Sequence, residues 1–275
     1  MNSWKFASIF LLLFSFSLWG VQSSPSKKTS ATPPRKEKEP ETAEVSKSST
    51  KEGVQMQWFG HSFVYLTSQN GIRVAMDPFT ESIKLPFPRN LHADVVLISY
   101  EGIDRDAGER LYGASQIFRS VTGVGANSAC GIIFRGVGSF RDSTRGRELG
   151  KNTVFVFELD GIRFCHLGGL GYPLDTRKID EIGRVDVVFL PVGNMKMTAS
   201  EWRVTAEKLQ AKWIIPIAFR NEKAGLKDLR PLEEFVEEVK LHQEEISLKN
   251  AESNMYVFRR EDIPSQPTLL ILPSP

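Results

Sequence analysis

An α/β sandwich, with sheet inside and helices outside, is the fold class this sequence predicts, and three observations predict it. From Val54 onward, short β-branched and aromatic runs recur between turn signals. Two of those runs, Ala93 to Ser99 (ADVVLIS) and Val185 to Pro191 (VDVVFLP), echo each other, as two related half-units would. Between and after them lie segments with helical spacing of apolar residues. With 275 residues, 41% of them hydrophobic and 25% charged, the chain has enough material for one sizeable domain once its N-terminal segments are set aside. A net charge of +2 provides no field strong enough to argue for nucleic acid or an anionic membrane as partner.

The N-terminus reads as a secretory signal over residues 1–23. Lys5 supplies the positive start, Phe6 to Trp19 the apolar stretch, and Val21-Gln22-Ser23 a small-residue cleavage site. Export to the periplasm or outside the cell follows, with membrane tethering only if the segment stays uncleaved; the apolar stretch is short for a full span. Residues 24–52 are rich in Ser, Thr, Pro, Lys and Glu and almost free of large apolar residues. Such a stretch cannot bury enough surface to offset its ordering entropy, so a disordered linker is expected, followed by a single domain over residues 53–275.

Within that domain Val54 to Phe79 reads as alternating strands with a hairpin turn at Gln69 to Gly71. Asp94 to Ser99 reads as a two-sided buried strand, and Glu109 to Ser120 as a weak helix interrupted by Gly113. Strands are expected over Ala129 to Val137, Asn152 to Leu159 and Gly161 to Leu167. Val185 to Pro191, Trp213 to Ala218 and Thr268 to Leu272 follow in the same class. Helices are expected over Thr198 to Ala211, opened by the capping signal Thr198-x-x-Glu201, and over Pro231 to Leu241 with Leu232, Phe235, Val236 and Val239 inward. In an exported chain Cys130 and Cys165 could close a disulfide, against the simpler reading of two buried free thiols.

The chemistry of such a fold belongs to loops at the C-terminal ends of strands. The loop after Ser99 offers Tyr100, Glu101, Asp104, Arg105 and Asp106, and neither histidine nor cysteine. Of the four histidines, His92 precedes a strand and His242 lies on a helix, which leaves His61 and His166 near a cleft. Ser62 and Ser99 have no evident His/Asp partners, which disfavours serine hydrolysis. Cys165 and His166, as neighbours on one strand, point to opposite faces and disfavour a thiol dyad. The Gly168 to Gly171 turn lacks the lysine of a phosphate loop.

The strand ends are GHS at Gly60 to Ser62, DP at Asp77-Pro78, SFRD at Ser139 to Asp142, HLGGLGYPL at His166 to Leu174, LPVGN at Leu190 to Asn194 and IPIAF at Ile215 to Phe219. Their order and spacing over Val54 to Leu272 resemble the metallo-β-lactamase superfamily, in particular metal-dependent hydrolases similar to ascorbate-phosphate lactonases. The resemblance implies an αββα sandwich with a metal cleft at the shared edge of two sheets. It also implies where ligands belong: the Thr-His-x-His-x-Asp-His motif falls on Ser99 to Arg105, where only Asp104 matches. The remaining ligand positions fall on Arg141, Gly169, Ala218 and near Tyr172.

A hydrolytic zinc site needs about three His or carboxylate ligands around an open position. With several replaced, and with Arg105 and Arg141 placing fixed cations among them, zinc is not expected. Three readings of the vestigial cleft of His61, Asp104, Asp142 and His166 follow. Ion pairs of Arg105 and Arg141 with Asp104 and Asp142 fill the vacated volume; or Tyr100, Arg105, Arg141 and Tyr172 bind a small anionic ligand; or residual zinc chemistry persists at His166 and Asp104. A non-catalytic binding or scaffold protein acting on a small anion or an envelope protein is the function expected, with a superfamily hydrolase of rearranged site as the alternative.

Overall fold

The computed structural model describes residues 52–114, 116–221 and 227–275. The expected signal and linker over 1–52 thus lie, but for Glu52, outside the described residues.

Two sheets face each other. β1 (Val54–Gly60), β2 (Phe63–Thr67), β3 (Arg73–Met76), β4 (Val95–Ile98) and β5 (Gln116–Arg119) run across the first. β6 (Gly125–Ala129), β7 (Ile132–Phe140), β8 (Lys151–Leu159), β9 (Ile162–His166), β10 (Val187–Pro191), β11 (Trp213–Ile217) and β12 (Ser247–Asn250) belong to the second. β13 (Met255–Phe258) returns to the edge of the first sheet beside β1, and β14 (Thr268–Ile271) enters the second between β11 and β12. Alternation decides which side chains meet between the sheets. In β1, Val54, Met56 and Trp58 are buried in the central layer while the residues between them are half-exposed. β10, covered on both faces, sends Val187 and Phe189 inward and Val188 and Leu190 outward onto helices.

The helices α1 (Thr176–Ile182), α2 (Ala199–Lys208) and α3 (Leu232–Lys240) belong to the outer face of the second sheet, where Ile182, Trp202, Ala206, Phe235 and Val239 join its apolar cluster. α2 carries the full capping box foreseen at Thr198 and Glu201. The outer face of the first sheet is covered instead by coil with 3-10 turns at Glu81–Ile83 and Gly108–Arg110, and Phe79, Ile83, Leu85 and Leu111 share one apolar cluster with Phe63, Val96 and Ile98. Pro78, Pro86 and Pro88 punctuate the stretch around the first of these turns and prevent a helix from propagating there. No helix among the described residues is long and apolar enough to cross a membrane.

Several expectations need correction. Glu109 to Ser120 is not a helix: after a 3-10 turn at Gly108–Arg110 the chain forms β5, parallel to β4, with Ile117 opposite Val96. Phe118 packs on the central layer and Ile117 on the outer one, a period of two that the polar residues around them obscured. The strand expected over Ala129 to Val137 is two strands, because Cys130 and Gly131 both have positive φ (52° and 76°) and form a two-residue hairpin turn. Cys130 is therefore exposed and Cys165 buried, both as free thiols. α1, β12 and β13 were not foreseen. α1 buries only Ile182 and the edge strand β12 is mostly exposed, so neither has an apolar stripe to read; β13, the edge strand MYVF, is apolar but only four residues long, too short to show a period.

The echoing strands β4 and β10 are each flanked by parallel neighbours. Their C-terminal ends open on one cleft.

Candidate functional site

The cleft, about 480 Å³, is lined by His61, Tyr100, Ile103, Asp104, Arg105, Arg141, Leu149, Gly169, Pro191 and Ala218, and by the stretches at 194–196 and 228–229. It therefore collects side chains from the turn after β1 and from the strand ends of β4, β7, β9, β10 and β11. His61 is held there in a left-handed conformation (φ 47°), its carbonyl accepting from Trp58 Nε1 at 3.0 Å and from the Ala218 amide at 2.9 Å.

At its floor lies a guanidinium. Arg105, 3% exposed, donates Nη1 to Asp77 Oδ2 at 3.0 Å and both Nε and Nη2 to Asp104 Oδ2 at 3.1 and 2.9 Å. Asp77, at the end of β3, also accepts from the amide and hydroxyl of Ser99, each at 2.7 Å. Asp104 accepts further from the Tyr100 hydroxyl at 2.6 Å and lies 3.3 Å from His61 Nε2. Burial opposes ionisation of Asp104, but Arg105, His61 and Tyr100 overcome it and hold the carboxyl far below the ordinary range. Burial likewise opposes the charge on Arg105, yet Asp104, Tyr100 and Asp77 outweigh it and drive its pKa up. The tyrosine hydroxyl, mainly through burial, is pushed well above its usual pKa and remains a donor.

His166 sits beneath, 1% exposed, with Nδ1 accepting from the Gly168 amide at 3.1 Å and Nε2 facing the Ser62 carbonyl at 3.2 Å. An acceptor at Nδ1 fixes the proton on Nε2, so this histidine is neutral with both ring nitrogens paired. Burial lowers its pKa, as it does that of His61.

The structure brings together Tyr100, Asp104, Arg105, Arg141 and His61, sets His166 behind them with its Nδ1 3.8 Å from Asp77, and takes Asp142 and Tyr172 out of the site. Asp142 does not pair with either arginine. Its carboxylate accepts from the amides of Thr144, Gly146 and Leu149, so it ties up the loop over residues 142–150. Tyr172 does not line the cleft; it packs on Phe140 with ring centroids 6.0 Å apart. Arg141 forms no ion pair among the described residues: it stacks on the Tyr100 ring at 3.6 Å and donates Nη1 to the Leu149 carbonyl at 2.9 Å. Arg105 covers the same ring at 4.1 Å, so both guanidinia engage one aromatic ring. The residue that sequence reasoning missed is Asp77, which accepts both hydrogen bonds that Ser99 donates and is the second carboxylate on Arg105. Its position at a strand end was visible, but nothing local tied it to residues more than twenty positions away.

These residues do not fit a divalent metal. Among the described residues no three His, Cys, Asp or Glu side chains are grouped so as to hold one. The guanidinium of Arg105 occupies the space between the two carboxylates that would face a metal. At Gly169, where the resemblance implies a bridging aspartate, an added Cβ would lie 2.3 Å from the Tyr100 ring, so the tyrosine fills the volume a side chain there needs.

The fold and the cleft define a metallo-β-lactamase-type sandwich, and comparison with known proteins agrees. The β-lactamase superfamily domain matches residues 55–218, and the chain belongs to that family. A UPF0173 metal-dependent hydrolase of Methanosphaera stadtmanae is 23% identical over 198 residues, covering 61% of this chain and 85% of that protein. One of Listeria innocua is 36% identical over 89 residues, 32% of this chain and 39% of that one. The chain thus spans about two fifths of the length of the curated relatives it matches at that level of identity. Among solved structures, a candidate Zn-dependent hydrolase of the superfamily from Thermotoga maritima aligns with a TM-score of 0.61 at 28% identity, over 80% of this chain and 98% of that one. A metallo hydrolase from Ignicoccus hospitalis, at 19% identity and a TM-score of 0.54 over 69% and 91% of the two chains, shares the fold.

Proposed function

We propose that this chain is an exported, non-catalytic binding or scaffold member of the superfamily, in which the Arg105 guanidinium stands where its relatives' fold would hold a metal. The observation that carries this reading is the closed arrangement of Arg105 with Asp77 and Asp104, buried beneath Tyr100. Every strong donor of that guanidinium meets a carboxylate, so it holds the loops after β3 and β4 together and has little left for a ligand. Of the four residues expected to take a small anion, Arg141 with Tyr100 keeps that role; an envelope protein covering the same cleft is the other partner this reading allows.

Hydrolysis assays test it. The purified full chain, supplied with zinc or manganese, is expected to turn over phosphodiester, lactone and lactam substrates no faster than buffer. The second reading, a metal-dependent hydrolase with a rearranged site, is favoured by the names of the relatives and by His61, Asp77, Asp104 and His166 gathered at one edge. It predicts turnover that His166→Ala abolishes together with metal uptake, and that result would displace the first reading.

A further inference from the structure

We propose that the cleft takes an amphipathic anion, a carboxylate or phosphate head on an apolar tail, with the head on Arg141 and the tail among Ile103, Leu149 and Met195. The inference rests on reading the cleft as a binding site, and it goes further by naming the ligand's chemistry.

Two independent observations converge on it. A guanidinium has five N–H donors, and Arg141 commits one of them, to Leu149, among the described residues. Stacking on Tyr100 holds the group flat and partly desolvated without neutralising it. An unneutralised, pre-positioned guanidinium in a concave site is suited to a carboxylate or phosphate edge. The rim, in contrast, is apolar where solvent would favour polar side chains. Ile103 is 73% exposed, Met195 55% and Leu149 40%, and all three line this one cleft. They rise from three different loops, after β4, after β7 and after β10, so their meeting is a property of the fold and not of one local sequence. Large apolar side chains gathered at the mouth of a cleft mark a site whose occupant covers them. Lys196 adds a second cation at the rim, tied to Glu148 at 2.7 Å. Asp228 also lines the cleft but is exposed, where water and salt screen its charge. The volume of about 480 Å³ lies in the range of small-molecule sites.

Titration of the full chain with monomeric decanoate, decanol and acetate tests the proposal. Saturable decanoate binding, about tenfold or more tighter than either comparator, is expected, because each lacks one half of the recognition. Arg141→Gln should weaken decanoate about tenfold, the weight of one charge-assisted hydrogen bond, and leave decanol unchanged. Ile103→Ser, at a position 73% exposed, should weaken decanoate and leave acetate unchanged, with wild-type thermal unfolding showing that the fold is kept. Equal affinity for decanol and decanoate, an Arg141→Gln variant that binds as the wild type does, or association with phosphatidylglycerol vesicles without response to monomeric decanoate would each overturn it. These readouts are binding alone. Turnover or metal uptake would sink the non-catalytic reading while leaving the effect of Arg141→Gln to judge the ligand.

Discussion

Arg105 carries the account at the scale of single residues. Removing one partner of a buried, hydrogen-bonded charge network leaves the other uncompensated, at a cost of about 3 to 5 kcal/mol. Arg105→Met keeps most of the volume and removes the charge, and denaturant unfolding at pH 7 should show a loss of that size. Asp104, whose folded pKa is held below its unfolded value of about 4, contributes stability that is fully present above that pH and is lost as pH falls through the folded value. The gap between wild type and variant should therefore be widest near neutrality and narrow in acid; a gap that does not change with pH would mean that the pair contributes packing alone.

The buried histidines titrate in a different window. Burial lowers the pKa of His61 and His166, so below the ordinary value of about 6.5 the unfolded chain binds more protons than the folded one. Stability is complete above that pH and falls as pH drops beneath it, by up to about 1.4 kcal/mol per unit for each histidine. His166→Gln should flatten that slope between about pH 6.5 and 5 in unfolding curves, and an unchanged slope would show that His166 charges freely in the folded state.

Among the elements, the turn after β9 and the loop after β4 are fitted to each other. Tyr100 fills the space in front of Gly169. Gly169→Ala should cost about 1 to 3 kcal/mol as an overpacked site, and much less in a Tyr100→Ala background, a coupling that a double-mutant cycle measures. Additive costs would mean that the two positions do not share that volume. At α2, Thr198→Ala removes the side-chain half of the capping box, leaving the amide of residue 198 on the Glu201 carboxylate, and should lower stability by about 1 kcal/mol in thermal or denaturant unfolding.

Elements with a strong periodic signal were readable in the chain: β1, β4, β8 to β11, β14, α2 and α3 lie within a few residues of where their apolar patterns place them. Elements held by tertiary contact were not. β5 exists because β4 offers it a parallel ladder, and the β6–β7 turn exists because Cys130 accepts a positive φ that a cysteine rarely adopts. The site divides the same way. Tyr100, Asp104 and Arg105 are neighbours in sequence and could be found together, whereas Asp77 joins them only through the pairing of β3 with β4. Tyr172 and Asp142 were drawn to the site by their places in a motif, and packing on Phe140 and amide hydrogen bonds within the 142–150 loop take them out of it.

For the whole molecule, two sheets with their parallel strands ending at one edge build the cleft in which this superfamily's fold places its chemistry, and the chain belongs to that superfamily. In this chain that edge is closed by the Arg105 guanidinium and bordered by the exposed apolar side chains of Ile103, Leu149 and Met195. The metal content of the full chain, purified without chelator and dialysed against zinc and manganese, tests that claim most directly. On the proposed reading, the Arg105 guanidinium between Asp77 and Asp104 lowers metal affinity by far more than the 10- to 100-fold that follows from disturbing a supporting residue, and less than about a tenth of an equivalent should remain bound. One equivalent or more, retained through dialysis and released by chelator, would contradict the account and put the hydrolase reading in its place.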